Sequence, residues 1–249
     1  MSELRRVSIA VPADWLEEAR ARLLDLHPEG FEEGEGELAV YTDAAGEERL
    51  RGAFADVSAR TVEPGWEERW REFHRPVWIG PLWIGPPWER PPPDVIGVVV
   101  DPGRAFGTGS HPTTRLCLEL LLELDRGSLL DIGCGSGVLS VAAAKLGFGP
   151  VLAIDREAAA VEAARRNAAA NEVTIEVRRC DALATELPAA DVALANIDLA
   201  SVEALAPSLD AARLVTAGYF HSRRPQATGY AHRERRIDGG WAADLFERQ

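Results

Sequence analysis

The feature that most restricts the fold is a strand–turn–helix unit in SLLDIGCGSGVLSVAAAKLG, residues 128–147. A short apolar run reads as a buried strand, glycines at alternate positions turn the chain, and an apolar helical segment follows. Units of the same kind continue downstream. VLAID, TIEVRRC, DVALAN and RLVTAGYF read as strands, while EAAAVEAARRNAAAN and LASVEALAPSL read as helices. Strands that alternate with helices form a mostly parallel sheet covered on both faces. The tail, AHRERRIDGGWAADLFE, reads as two strands around Asp238-Gly239-Gly240, which places an antiparallel strand at an edge. The predicted class for residues 95–249 is therefore α/β, with a Rossmann-like, mostly parallel sheet.

The chain upstream has a different grammar. LRRVSIAV alternates like a strand, and Pro12-Ala13-Asp14 opens an amphipathic helix to about Leu26 with Trp15, Leu16, Ala19, Leu23 and Leu24 inward. A hairpin turning at Gly34 to Gly36, a helix over 44–54 and a strand over 56–62 complete a β-α-β-β-α-β order, the ferredoxin-like pattern. Residues 1–62 are expected to form this small α+β domain. Residues 63–94 then read as a linker: a short helix carrying Trp66, Trp70 and Phe73, the strand pair WIGPLWIG, and the loop Pro91-Pro92-Pro93.

Composition closes off several functions. The net charge of −13 argues against a general nucleic-acid binder and suits a basic partner. Residues 1–62 carry −7 of it. No apolar run approaches the roughly 18 to 20 residues that span a bilayer, and the first residues lack a signal-peptide core, so a cytoplasmic protein is expected. Cys117, Cys134 and Cys180 are widely spaced and read as buried thiols. The single lysine, Lys145, lies in AAAKLG, so there is no phosphate-binding Gly-Lys-Ser/Thr loop. HExxH and GxSxG are missing from the sequence, and no metal site is expected.

In such sheets a ligand sits beyond the carboxyl ends of the strands. Gly133, Gly135 and Gly137 end the first strand, and Asp155 ends the second, 22 residues after Gly133. A carboxylate there can accept hydrogen bonds from both ribose hydroxyls. The glycine spacing is G-x-G-x-G, with Val138 where a dinucleotide fingerprint continues, and Asp131 precedes the first glycine. A carboxylate is unwelcome beside pyrophosphate and welcome beside an ammonium and a sulfonium. The pattern favours S-adenosyl-L-methionine over a dinucleotide. Plainer roles remain open: Asp155 and Thr114 as helix caps, Asn196 as a turn former.

DIGCGSG followed by AID resembles motifs I and II of the class I S-adenosylmethionine-dependent methyltransferases. The loop DPGRAFGTGSHPTT (101–114) resembles that of the ribosomal protein L11 methyltransferase family, as do ANIDL, VTAGYF and GGWAADLFE. The resemblance implies cofactor contacts at Thr114, Gly133, Asp155 and Asn196, with Gly135 and Asp131 in motif I, a lid from Phe106 and Gly107, and an adenine contact at Asp181. It implies methylation of lysine side chains and the N-terminal amine of ribosomal protein L11, with the N-terminal domain recognising that partner. A monomer is expected. Asn196 is the expected catalytic residue, its amide oxygen orienting a neutral amine. Three departures stand out: Asp198 after Asn196-Ile197, no Pro-Gly-Gly turn before RLVTAGYF, and a short connection with Pro225 where the family's pattern continues with a helix. The same chemistry on another amine, and cofactor binding without catalysis, stay open as alternatives.

Overall fold

The computed structural model describes residues 5–12, 15–27, 31–34, 36–62, 75–101 and 109–249. The chain divides into two compact units, Met1–Phe73 and His74–Gln249.

The first unit runs β1 (Arg5–Ala10), α1 (Leu16–Leu26), β2 (Glu32–Gly34), β3 (Glu37–Thr42), α2 (Ala44–Ala53) and β4 (Val57–Thr61). Its sheet has the order β2-β3-β1-β4, with β1 antiparallel to both neighbours. Period-2 alternation puts Val7 and Ile9 of β1, and Leu38 and Val40 of β3, into one core with Ala19 and Leu23 of α1 and Leu50 of α2. Asp43 caps α2 by accepting from the Gly46 amide at 2.9 Å. Trp15, expected to face inward, is half exposed. It precedes the first turn of α1, so the helical spacing that buries Ala19 and Leu23 does not carry it to the core. The side chain of Leu24 lies outside the described residues.

The second unit begins earlier than the sequence pattern suggests. Of the expected linker, 63–74 with Trp66, Trp70 and Phe73 lie outside the described residues. Residues 77–99 build a three-stranded sheet, β5 (Val77–Ile79), β6 (Leu82–Gly85) and β7 (Ile96–Val99), in the order β5-β6-β7. The repeated Trp-Ile-Gly forms the local hairpin β5–β6, and β7 adds parallel to β6. Ile79, Leu82, Ile84 and Val98 share a core with the helices that follow, which ties this segment to the second unit.

The large sheet contains β8 (Leu129–Ile132), β9 (Val151–Asp155), β10 (Glu176–Arg179), β11 (Ala190–Asn196), β12 (Ala211–Phe220), β13 (Tyr230–Asp238) and β14 (Trp241–Arg248). Their order is β10-β9-β8-β11-β12-β14-β13. The first five are parallel. The inner hairpin strand β14 is antiparallel to β12, and the edge strand β13 is antiparallel to β14. The helices are α3 (Pro112–Glu123), α4 (Val138–Lys145), α5 (Ala158–Ala170) and α6 (Leu199–Leu205). Alternation sorts the central strands between two cores. Val192, Leu194, Val215 and Ala217 join Leu116, Leu118 and Leu121 of α3 and Val141 of α4, while Ala193, Ala195 and Leu214 join Val202 and Leu205 of α6. Each fully buried leucine contributes roughly 1.5–3 kcal/mol of transfer free energy. Between β12 and β13, residues 221–229 form turns and no helix, as Pro225 implies.

Candidate active site

The carboxyl ends of β8, β9, β11 and β12 converge at one end of the large sheet. β8 runs into the turn Gly133–Gly137, which opens α4. Gly133 has φ 71°, and a Cβ there would lie 2.5 Å from the Ile197 side chain. At Gly137, φ 77°, a Cβ would meet the Cβ of Ala164 at 2.8 Å. Only glycine lets the turn pass beneath the Asn196–Ile197 corner and lets α4 approach the alanine-rich α5 so closely.

The turn is locked to β9. The amides of Gly133 and Cys134 donate to the Ile154 carbonyl at 2.9 and 3.0 Å. Asp155 uses both carboxylate oxygens locally, Oδ2 accepting from the Gly135 amide and Oδ1 from the Glu157 amide, each at 2.9 Å. Asp155 thus braces the glycine turn and caps the approach to α5 together, and the carboxylate remains partly exposed. Asp131 is buried and receives the Ser140 hydroxyl of α4. Burial pushes its carboxyl up to about 6, the Ser140 hydrogen bond opposing and the charge of Asp155 adding to the push. Its described hydrogen-bond partner is this internal hydroxyl.

Two of the expected site residues are among those with a buried side-chain polar atom that has no hydrogen-bond partner among the described residues: Thr114 through Oγ1 and Asn196 through Oδ1. Thr114 lies inside α3, whose cap is His111 (Nδ1 accepting from the Thr113 amide at 3.3 Å). The helix-cap reading of Thr114 therefore fails. Asn196 ends β11, and its register places it beside Ala217 of β12. Alternation from Val192 and Leu194 puts it on the α3 side of the sheet, the side of Thr114. An orphaned buried polar atom costs about 1–3 kcal/mol. Two of them on one side of the strand ends are what a ligand with donors and acceptors would satisfy.

The remaining expected residues fall as follows. Phe106 and Gly107 lie outside the described residues. Asp181 is exposed just beyond β10, its Oδ1 accepting from the Leu183 amide at 3.0 Å. Asp198, a departure from the family pattern, caps α6 by accepting from the Ser201 amide at 2.9 Å and hydroxyl at 2.6 Å. Gly218 has φ 102°, and a Cβ there would strike the Ile197 carbonyl oxygen at 2.2 Å, so β12 bulges around the Asn196–Ile197 corner.

Sequence reasoning missed two residues. Asn171 of the α5 C-cap brackets Val99, accepting from its amide at 2.8 Å and donating to its carbonyl at 2.6 Å. Asn167 accepts from the Asp101 amide at 3.2 Å and donates to the Ser136 carbonyl at 2.8 Å. It joins the start of the 101–114 loop to the glycine turn. The available signal was NAAAN, two asparagines four apart in an alanine-rich helix, where asparagine is otherwise unfavourable.

A parallel sheet of this strand order, with an alternating-glycine turn after its central strand and a carboxylate ending the next, defines a class I S-adenosylmethionine-dependent methyltransferase fold. A profile of the ribosomal protein L11 methyltransferase (PrmA) family matches residues 32–222. The chain belongs to that family. It is 42% identical over 206 residues to a ribosomal protein L11 methyltransferase of Pelobacter propionicus, covering 74% of this chain and 66% of the relative. It is 45% identical over 176 residues to one of Shewanella baltica, covering 66% of this chain and 58% of the relative. The chain thus spans between about half and two thirds of the length of the curated relatives it matches. The crystal structure of a ribosomal protein L11 methylase from Lactobacillus delbrueckii subsp. bulgaricus matches 71% of this chain and all of that one, at 29% identity and a TM-score of 0.64.

Proposed function

We propose that the protein is an S-adenosyl-L-methionine-dependent N-methyltransferase that modifies lysine side chains and the N-terminal amine of ribosomal protein L11. Family membership supports the substrate class. The observation that carries the chemistry is the buried, unpartnered Oδ1 of Asn196 at the carboxyl end of β11. The residues present suit the cofactor: Thr114 and Asn196 offer unsatisfied polar atoms, Gly133 and Gly135 expose backbone, and Asp155 keeps free acceptor capacity. Asp131 bears on the cofactor through the shape of the glycine turn, and Asp181 is assigned to the adenine side. When bound, S-adenosyl-L-methionine supplies a methyl group on a positively charged sulfur.

The chain's own task is to present a neutral nitrogen. A lysine amine of pKa about 10.4 costs roughly 4 to 5 kcal/mol to deprotonate at pH 7. Burial at the strand ends disfavours the ammonium and lowers that cost. Asn196 Oδ1 accepts an N–H of the amine and so turns its lone pair outward. An amide oxygen does this without holding the proton on nitrogen, as a carboxylate would. The reading assigns recognition of L11 to residues 1–62, catalysis to 95–249, a monomeric state and a cytoplasmic location. The net charge of −13 supports a protein acceptor without direct nucleic-acid contact, and no helix among the described residues is long and apolar enough to cross a membrane.

The test is transfer of labelled methyl from the cofactor to purified L11, read by mass spectrometry, with Asn196→Ala alongside. The expected result is label on L11 amines, lost in the variant while cofactor affinity by calorimetry largely remains. Label confined to other amines overturns the L11 assignment. Full turnover in Asn196→Ala overturns the role of Asn196.

A further inference from the structure

An aromatic group stands at the same end and side of the sheet as Asn196. Phe220 ends β12 and is paired in register with Trp241, which opens β14. Their rings stack at 4.4 Å and 30°. The His111 ring, at the cap of α3, meets Trp241 edge-on at 4.8 Å and 68°. The β13–β14 turn is held against α3. A Cβ on Gly239 would lie 3.4 Å from the Pro112 ring, and Asp238 pairs with Arg115 at 3.7 Å. Trp241 is half-buried, so part of its surface meets solvent.

Register places this group relative to Asn196. Asn196 pairs with Ala217, and Ala217 with Ala243. Trp241 is two residues from Ala243, so it shares the α3 side and lies one pleat nearer the open end. Two strand spacings and one pleat repeat put the two backbones roughly 10–12 Å apart. An indole on one side and an extended lysine arm fill such a gap.

We infer that Trp241, clamped by Phe220 and His111, is the wall along which the acceptor's alkylammonium arm reaches Asn196. The inference rests on the amine-methylating reading above. An indole face covers the methylenes of the arm and attracts the ammonium through its quadrupole. Unlike a carboxylate, it attracts the cation without taking a proton-stabilising hydrogen bond. The arm is thus drawn in charged and meets the amide oxygen of Asn196 where water is excluded. Asp238, the acidic side chain at the turn, is engaged by Arg115.

The test compares Trp241→Ala and Trp241→Phe by steady-state kinetics on L11, with cofactor affinity from calorimetry and melting temperature from thermal unfolding. Trp241→Ala is expected to raise KM for the protein acceptor roughly tenfold, with cofactor affinity held within about twofold. Trp241→Phe is expected to restore most of the loss. An unchanged KM in a folded Trp241→Ala protein overturns the inference. So does a loss of cofactor affinity in step with turnover that phenylalanine fails to correct. If the wild type methylates another amine and not L11, the substrate assignment fails, and the same series on that amine still decides the role of Trp241. Failure of the wild type to methylate any amine overturns both.

Discussion

Asp131 shows how one buried residue ties stability to pH. It is 1% exposed, and burial holds its carboxyl near 6 against an ordinary 3.8. The folded state therefore binds this proton more tightly than the unfolded chain. Its contribution to stability is complete below the ordinary carboxylate value and is lost as pH rises through about 6. Asp131→Asn keeps an acceptor for Ser140 and removes the ionisation. Urea unfolding across pH 4 to 8 should show the variant gaining on the wild type by about 2–3 kcal/mol as pH rises, with the gain levelling off above about 6. A difference that does not vary with pH would mean that Asp131 does not titrate in this window. At this scale the sequence made the positions of some candidate residues legible and hid others. Gly133, Gly135, Asp155 and Asn196 could be placed because strand ends and glycine spacing fix where they fall. Asn167 and Asn171 were not, because their partners, Val99, Asp101 and Ser136, come from segments that only the fold brings together.

At the scale of elements, α5 does more than cover the sheet. Its Asn171 supplies, from a side chain, the donor and acceptor that a neighbouring strand would offer to β7. Replacing it with leucine leaves the amide and carbonyl of Val99 without these partners in a half-buried place. The expected cost is about 2–4 kcal/mol, from two lost hydrogen bonds with their desolvation unrepaid. Chemical denaturation measures it, and a loss below about 0.5 kcal/mol would show that water replaces the amide. Helix boundaries were the least legible elements. α3 begins at Pro112, four residues before the apolar run from Leu116 that announces it, because proline suits the first helical position and His111 caps it. Gly109-Ser110-His111-Pro112 reads as loop. The tail hairpin, by contrast, was readable from Asp238-Gly239-Gly240, and its register follows from the turn.

At the scale of the whole molecule, the fold class was legible because strand–helix alternation leaves few ways to bury so many apolar strands. The limit of the second unit was not legible, since β7 joins β6 in parallel across an intervening Pro-rich loop and nothing local records that pairing. Charge acts at this scale too. Residues 1–62 carry −7 and the chain −13. An acceptor that presents several lysines is positive where it must dock, so long-range attraction should speed its encounter, and added salt should screen it. The cofactor binds at short range among buried groups and should respond far less. Raising sodium chloride from about 50 to about 500 mM should therefore lower kcat/KM for a lysine-rich protein acceptor roughly tenfold, while cofactor affinity changes less than about twofold. A small amine acceptor separates the two effects, because one charge on a small molecule gains little from the protein's summed field. Its kcat/KM should fall much less over the same range. Equal salt dependence for protein and small amine would place the effect in the catalytic site and remove docking electrostatics from the account. No salt dependence for the protein acceptor would mean that its recognition rests on packed apolar contact.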